Sequence, residues 1–116
     1  MAEKPEVVCL CGSTRFMDAF HAEGWRLTLE GKIVLSVGVC KHGPADHVGE
    51  WLGDDVCARL DELHLRKIDL ADRVLVLNVG GYIGDSTRKE IVYAESYAVP
   101  VDYLEPLKAE EQQNAG

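Results

Sequence analysis

Apolar residues fall in two kinds of run along this chain. Short, nearly unbroken runs sit at Glu6-Val7-Val8-Cys9-Leu10-Cys11, Ile33-Val34-Leu35-Ser36-Val37, residues 74–79 and Val101-Asp102-Tyr103-Leu104. Runs this short and this apolar suit parallel strands covered on both faces. Between them the spacing becomes helical. Phe16, Ala19, Phe20 and Leu27 form one buried stripe, ended by Gly31. Val56, Leu60, Leu63 and Leu70 share one face of a second helix over residues 54–71, opened by Asp54 or Asp55. A third helix begins at Asp85, Ser86 or Thr87, each a good N-cap, and Pro100 stops it.

The predicted order is therefore β-α-β-α-β-α-β. Such alternation calls for an α/β fold, a small flavodoxin-like or Rossmann-like three-layer sandwich around a four-stranded parallel sheet. Right-handed crossovers give the strand order 2-1-3-4. One domain covers residues 1–104, and residues 105–116 form a polar tail expected to fray. Residues 38–53, with Cys40, His42, Pro44, His47 and Trp51, have no periodicity, and a long loop over the ligand crevice is expected there.

In that topology the switch point lies between strands one and three, where two loops meet. The first is Gly12-Ser13-Thr14-Arg15. A glycine turn feeding a helix N-terminus exposes backbone N–H groups, Ser13 and Thr14 add hydroxyls, and Arg15 adds a forked cation. It reads either as an anion site for a nucleotide phosphate or as a plain cap beside a solvated arginine. The second loop holds Gly80, Gly81, Tyr82, Gly84, Asp85, Ser86 and Thr87, and its glycines permit a tight turn and close backbone approach. Thr87-Arg88-Lys89-Glu90 matches a capping box, with the glutamate bonding back to the backbone of its cap. The alternative uses Glu90 as a first-turn carboxylate kept ionised by the helix dipole, suited to attack a sugar C1′. His64 reads as an exposed helical residue or as a proton donor to a leaving base. Tyr82 and Tyr93 are candidates for stacking on a base.

Composition narrows the field. A chain of 116 residues makes one small domain, and a formal net charge of −8 argues against a nucleic-acid groove. No apolar run approaches the roughly 18 residues of a membrane span, and the first residues lack a signal-peptide core. Cys9, Cys11, Cys40 and Cys57 form no CxxC pair, so reduced thiols and a cytoplasmic protein are expected. Neither GxGxxG after the first strand nor a Walker A pattern is present, and no cofactor is expected. Cys40, His42 and His47 fit no standard zinc spacing, so no metal is expected either.

Three motifs together resemble the nucleoside 2-deoxyribosyltransferase-like superfamily, which includes deoxynucleoside monophosphate N-glycosidases and hydroxymethyl-CMP hydrolases. Cys11-Gly12-Ser13-Thr14-Arg15 looks like its first-strand phosphate or sugar loop. Asp69-Leu70-Ala71-Asp72-Arg73-Val74-Leu75-Val76 looks like its entry to the central strand. Asp85-Ser86-Thr87-Arg88-Lys89-Glu90-Ile91-Val92-Tyr93-Ala94 looks like its loop and catalytic-glutamate helix, with Val92 in place of a glycine. The resemblance implies that Glu90 is a nucleophile forming a covalent sugar intermediate. It implies that Ser13 and Arg15 hold a 5′-phosphate, with Gly12, Thr14, Gly81, Asp85, Ser86 and Thr87 around the substrate. His64 stands where the family usually has an aspartate that positions the sugar or assists the leaving base. A nucleoside or nucleotide substrate, no polymer or membrane partner, and a homo-oligomer with shared sites are the corresponding expectations.

Overall fold

The computed structural model describes residues 4–37 and 47–107. Four strands, β1 (Val7–Cys11), β2 (Ile33–Leu35), β3 (Arg73–Val76) and β4 (Val101–Tyr103), alternate with three helices, α1 (Met17–Leu29), α2 (His47–Leu70) and α3 (Asp85–Ser96). The strands pair in parallel throughout, in the order β2-β1-β3-β4. This is the α/β architecture and strand order that the alternating pattern predicts.

β1 and β3 lie at the centre, and their apolar residues divide by parity because successive side chains face opposite sides of a sheet. Val8 and Leu10 of β1, with Leu75 and Leu77, pack against Phe20 and Leu27 of α1. Cys9 and Cys11, with Val74 and Val76, face Ile68 of α2 and Ile91 and Ala94 of α3. Each central strand is thus buried on both faces, which explains its lack of polar alternation. The carboxyl ends of β1 and β3 run close together, and Leu77 N–H donates to the Cys11 carbonyl at 2.8 Å. A Cβ at Gly12 would stand only 3.2 Å from Leu77 Cβ and 3.3 Å from its carbonyl oxygen, so this approach calls for glycine.

Several boundaries differ from the sequence reading. α2 begins at His47 rather than at residue 54, so residues 47–53 are helical rather than loop. The rest of the expected crevice loop, residues 38–46, lies outside the described residues. After Gly12 a 3-10 turn, Thr14–Phe16, precedes α1, and Ser13 caps it by accepting from Arg15 N–H at 3.3 Å. α3 starts at Asp85 with Gly84 as its N-cap, and no side chain caps it. Its first internal bond, Arg88 N–H to the Gly84 carbonyl, measures 2.9 Å. Thr87 is thus the third helical residue and Glu90 the sixth, so the capping box does not form and Glu90 stands in the second turn.

Beyond β4 the chain remains tied. The buried amide of Asn78 donates to the Glu105 carbonyl and accepts from Glu105 N–H, each at 2.9 Å. The Glu105 carboxylate accepts from Gly80 N–H at 2.9 Å. The expected frayed tail therefore starts no earlier than residue 106, and residues 108–116 lie outside the described residues. Among the described residues no helix is long and apolar enough to cross a membrane.

Candidate functional site

A crevice of about 320 Å³ opens at the carboxyl ends of β1 and β3. Gly12, Ser13, Thr14 and Arg15 form one wall, and Tyr82, Gly84, Asp85, Ser86 and Thr87 form another. α2 closes the third side with Leu60, Asp61, Leu63, His64 and Lys67. Glu90 projects from α3 into the same space, and a neighbouring hollow of about 270 Å³ shares Asp61, Ser86 and Glu90 with it. Nearly every residue singled out from the sequence converges here.

Two do not. Gly81 adopts φ 84° and gives its N–H to the Asn78 carbonyl at 2.8 Å, so it shapes the turn and does not line the crevice. Tyr93, expected as a base platform, lies half-buried between α3 and α2. Its hydroxyl donates to Asp69 at 2.6 Å and accepts from Arg66 at 3.1 Å, and its ring packs on Tyr97 with centroids 4.7 Å apart. It ties α3 to α2 and takes no part in the cavity. Tyr82 does line the crevice, with the Arg15 guanidinium 4.6 Å above its ring and Phe16 edge-on at 6.0 Å. That stacking holds Arg15 at the rim.

The expected helix N-terminus also shifts. The 3-10 turn separates the Gly12 loop from α1, whereas α3 aims its uncapped first turn, Asp85, Ser86 and Thr87, at the crevice. Free N–H groups and the positive end of a 12-residue helix therefore face the cavity from α3.

Below the rim lies a buried cluster that sequence reasoning did not assemble. His64 is only 6% exposed, and its Nε2 lies 3.4 Å from Cys11 Sγ and 3.7 Å from Cys9 Sγ. The expectation of an exposed helical histidine is thus overturned. Its burial follows from position: Leu60, His64, Lys67 and Ile68 recur at three and four residues along α2, and this face meets β1 and the crevice. That periodicity is the signal that could have found it. Cys9 and Cys11, two apart on β1, point to the same side, are fully buried and are free thiols. Lys67, also missed, lines the crevice and donates to the Ser36 carbonyl at 2.6 Å.

The charges in this cluster are linked. The Cys11 thiol is held well above the ordinary thiol range by its bond to Cys9, by burial, and by the charges of Cys9 and Glu90. The same bond from Cys11, assisted by His64 against the effect of burial, lowers Cys9 to about 6. Burial is the largest influence on Glu90 and raises its pKa, opposed by the charge of His64 and a hydrogen bond from Cys11. Burial thus works against the ionised form of Glu90 that the helix dipole was expected to favour. Burial alone would lower His64, but its bond to Cys9 and the negative charges of Cys9 and Glu90 leave it above the ordinary imidazole value. The arrangement offers a carboxylate, a protonatable imidazole and two thiols beneath a cavity rimmed by Ser13, Thr14, Arg15 and the first turn of α3.

No protein-family model matches this sequence, and a search of curated proteins finds no match.

Proposed function

We propose that this protein cleaves, or exchanges, the N-glycosidic bond of a nucleoside or nucleoside 5′-monophosphate. Glu90 attacks C1′ and forms an ester with the sugar, while the base leaves with the electron pair of the glycosidic bond and takes up a proton. Water, or a second base, then attacks C1′ and releases the carboxylate. Support comes chiefly from the convergence of Glu90, free of any capping role, with the open first turn of α3 and Arg15 around one cavity. A 5′-phosphate or 5′-hydroxyl suits those rim donors. Tyr82 offers the base an aromatic face. The Nε2 of His64 is turned to the two thiols, so the histidine fits the part of a positioning residue that sets the charge of Glu90. The resemblance of the three sequence motifs to the nucleoside 2-deoxyribosyltransferase-like superfamily agrees with this chemistry.

One observation favours a second reading, a non-catalytic nucleotide-binding module on the same fold. Burial raises the pKa of Glu90, and a neutral carboxyl is a hydrogen-bond donor rather than a nucleophile. Base release separates the two. Wild type and Glu90→Ala are incubated with ribo- and deoxyribonucleosides and their 5′-monophosphates, and free base is measured by chromatography. The glycosidase reading expects release that falls on the order of a thousandfold or more in the variant. Nucleotide binding by calorimetry without base release would establish the binding module instead.

A further inference from the structure

The buried cluster beneath the crevice has a geometry that neither reading of the activity requires. Cys9 Sγ, Cys11 Sγ and His64 Nε2 all lie within 4.8 Å of one another. They come from two elements, a central strand and α2, so the fold rather than local sequence brings them together. A tetrahedral zinc ion has bonds of about 2.3 Å to sulfur and about 2.0 Å to nitrogen. Two such ligands then stand about 3.6 Å apart for sulfur and nitrogen, and about 3.8 Å apart for two sulfurs. The observed sulfur-to-nitrogen separations, 3.4 and 3.7 Å, bracket that edge length.

We propose that Cys9, Cys11 and His64 form a zinc-binding site at the floor of the crevice, with the Glu90 carboxylate as fourth ligand. Two thiolates, an imidazole and a carboxylate match the donor preference of a borderline-soft divalent ion. Both thiols give up their protons to solvent on binding, and the two thiolates balance the charge of the ion in a buried setting. Glu90 lies outside that 4.8 Å group but lines the same crevice as His64, so a turn of its side chain brings the carboxylate to the fourth corner. The crevice supplies the entry path, since His64 and Glu90 both line it. The sequence offers no hint of such a site, because zinc patterns are recognised from CxxC-type spacing, whereas here the cysteines alternate along a strand and the histidine is 53 residues from Cys11.

The test uses the full chain, reduced, stripped with a chelator and dialysed against Zn²⁺. Elemental analysis is expected to find one equivalent bound. Co²⁺ in its place is expected to give the intense d–d bands of tetrahedral coordination with sulfur-to-cobalt charge transfer. Cys11→Ala and His64→Gln, each checked for folding by circular dichroism, are expected to weaken binding by about a hundredfold or more. A variant combining Cys40→Ser, His42→Gln, His47→Gln and Cys57→Ser is expected to keep full affinity. Should the cluster variants fail to fold, X-ray absorption of the zinc-loaded wild type decides, with two sulfurs and two lighter ligands expected. Absence of stoichiometric zinc, binding that survives Cys11→Ala and His64→Gln, loss of binding in the combined variant, or a shell without sulfur would each overturn the assignment. All these readouts are of metal, so they stand apart from the outcome of the base-release assay.

Discussion

His64 Nε2 stands 3.4 Å from Cys11 Sγ on β1, and the charge of His64 acts on Glu90, so an imidazole on α2 and a carboxylate on α3 are electrically linked. The consequence for a glycosidase is a particular pH dependence. Glu90 must be ionised to attack, and burial raises its pKa above the ordinary glutamate value. Activity is therefore lost as pH falls through that raised value, earlier than for an exposed glutamate. The positive charge on His64 opposes the shift, so His64→Gln moves the acid limb to still higher pH. Profiles of kcat/KM for base release, recorded with a chelator present, check both statements. A limb at or below the ordinary glutamate range, or one that moves down in the variant, would contradict them.

Arg15 discriminates between substrates with and without a phosphate. It is exposed at the rim, steered by the Tyr82 ring at 4.6 Å, and faces the same cavity as the first turn of α3. A charge-assisted bond to phosphate contributes about 1.5–3 kcal/mol. Arg15→Ala is expected to raise KM for nucleoside 5′-monophosphates by roughly 10–100-fold, from that energy, and to leave the corresponding nucleosides nearly unaffected. Equal losses for both substrate types would instead mean that Arg15 supports the fold of the loop. Steady-state kinetics on matched pairs give the answer.

Asn78 and Glu105 hold the last described segment against the sheet. The fully buried amide satisfies both the N–H and the carbonyl of Glu105. Asn78→Ala leaves two partly buried backbone groups without these partners and is expected to cost about 1–3 kcal/mol. Urea unfolding followed by circular dichroism should show a lower midpoint with an unchanged slope. A midpoint equal to wild type would mean that water replaces the amide fully.

The sheet order was legible because four short apolar runs alternate with three helical segments, and handedness then leaves few topologies. The location of the crevice followed from the same rule, through Gly12 and the turn before Asp85. Other features depended on tertiary contacts. Thr87 and Glu90 have capping-box spacing, yet extended backbone at Gly84, φ −80° and ψ 173°, starts the helix earlier and moves Glu90 one turn inward. Residues 47–53 hold two glycines, which argue against a helix, yet Val48, Trp51 and Leu52 already carry the helical spacing that continues into Val56. Tyr93 has an aromatic face that suits a base, but Asp69 and Arg66 of α2 claim its hydroxyl. Only the positions of Leu60 and Ile68, each four residues from His64, hinted that this histidine turns inward.

The zinc site and the proposed chemistry compete for one group. Glu90 is a poor nucleophile while it ligates a metal, because the ion withdraws the carboxylate's charge and holds it away from C1′. Zinc is therefore expected to inhibit base release, with inhibition complete near one equivalent and reversed by a chelator. Mg²⁺, which favours all-oxygen ligands, is expected to have no such effect. His64→Gln should blunt the inhibition, since it removes a ligand and leaves Glu90 in place. If zinc binds at one equivalent but base release continues undiminished, Glu90 is not the fourth ligand, and the ion sits behind a carboxylate that keeps its freedom to react.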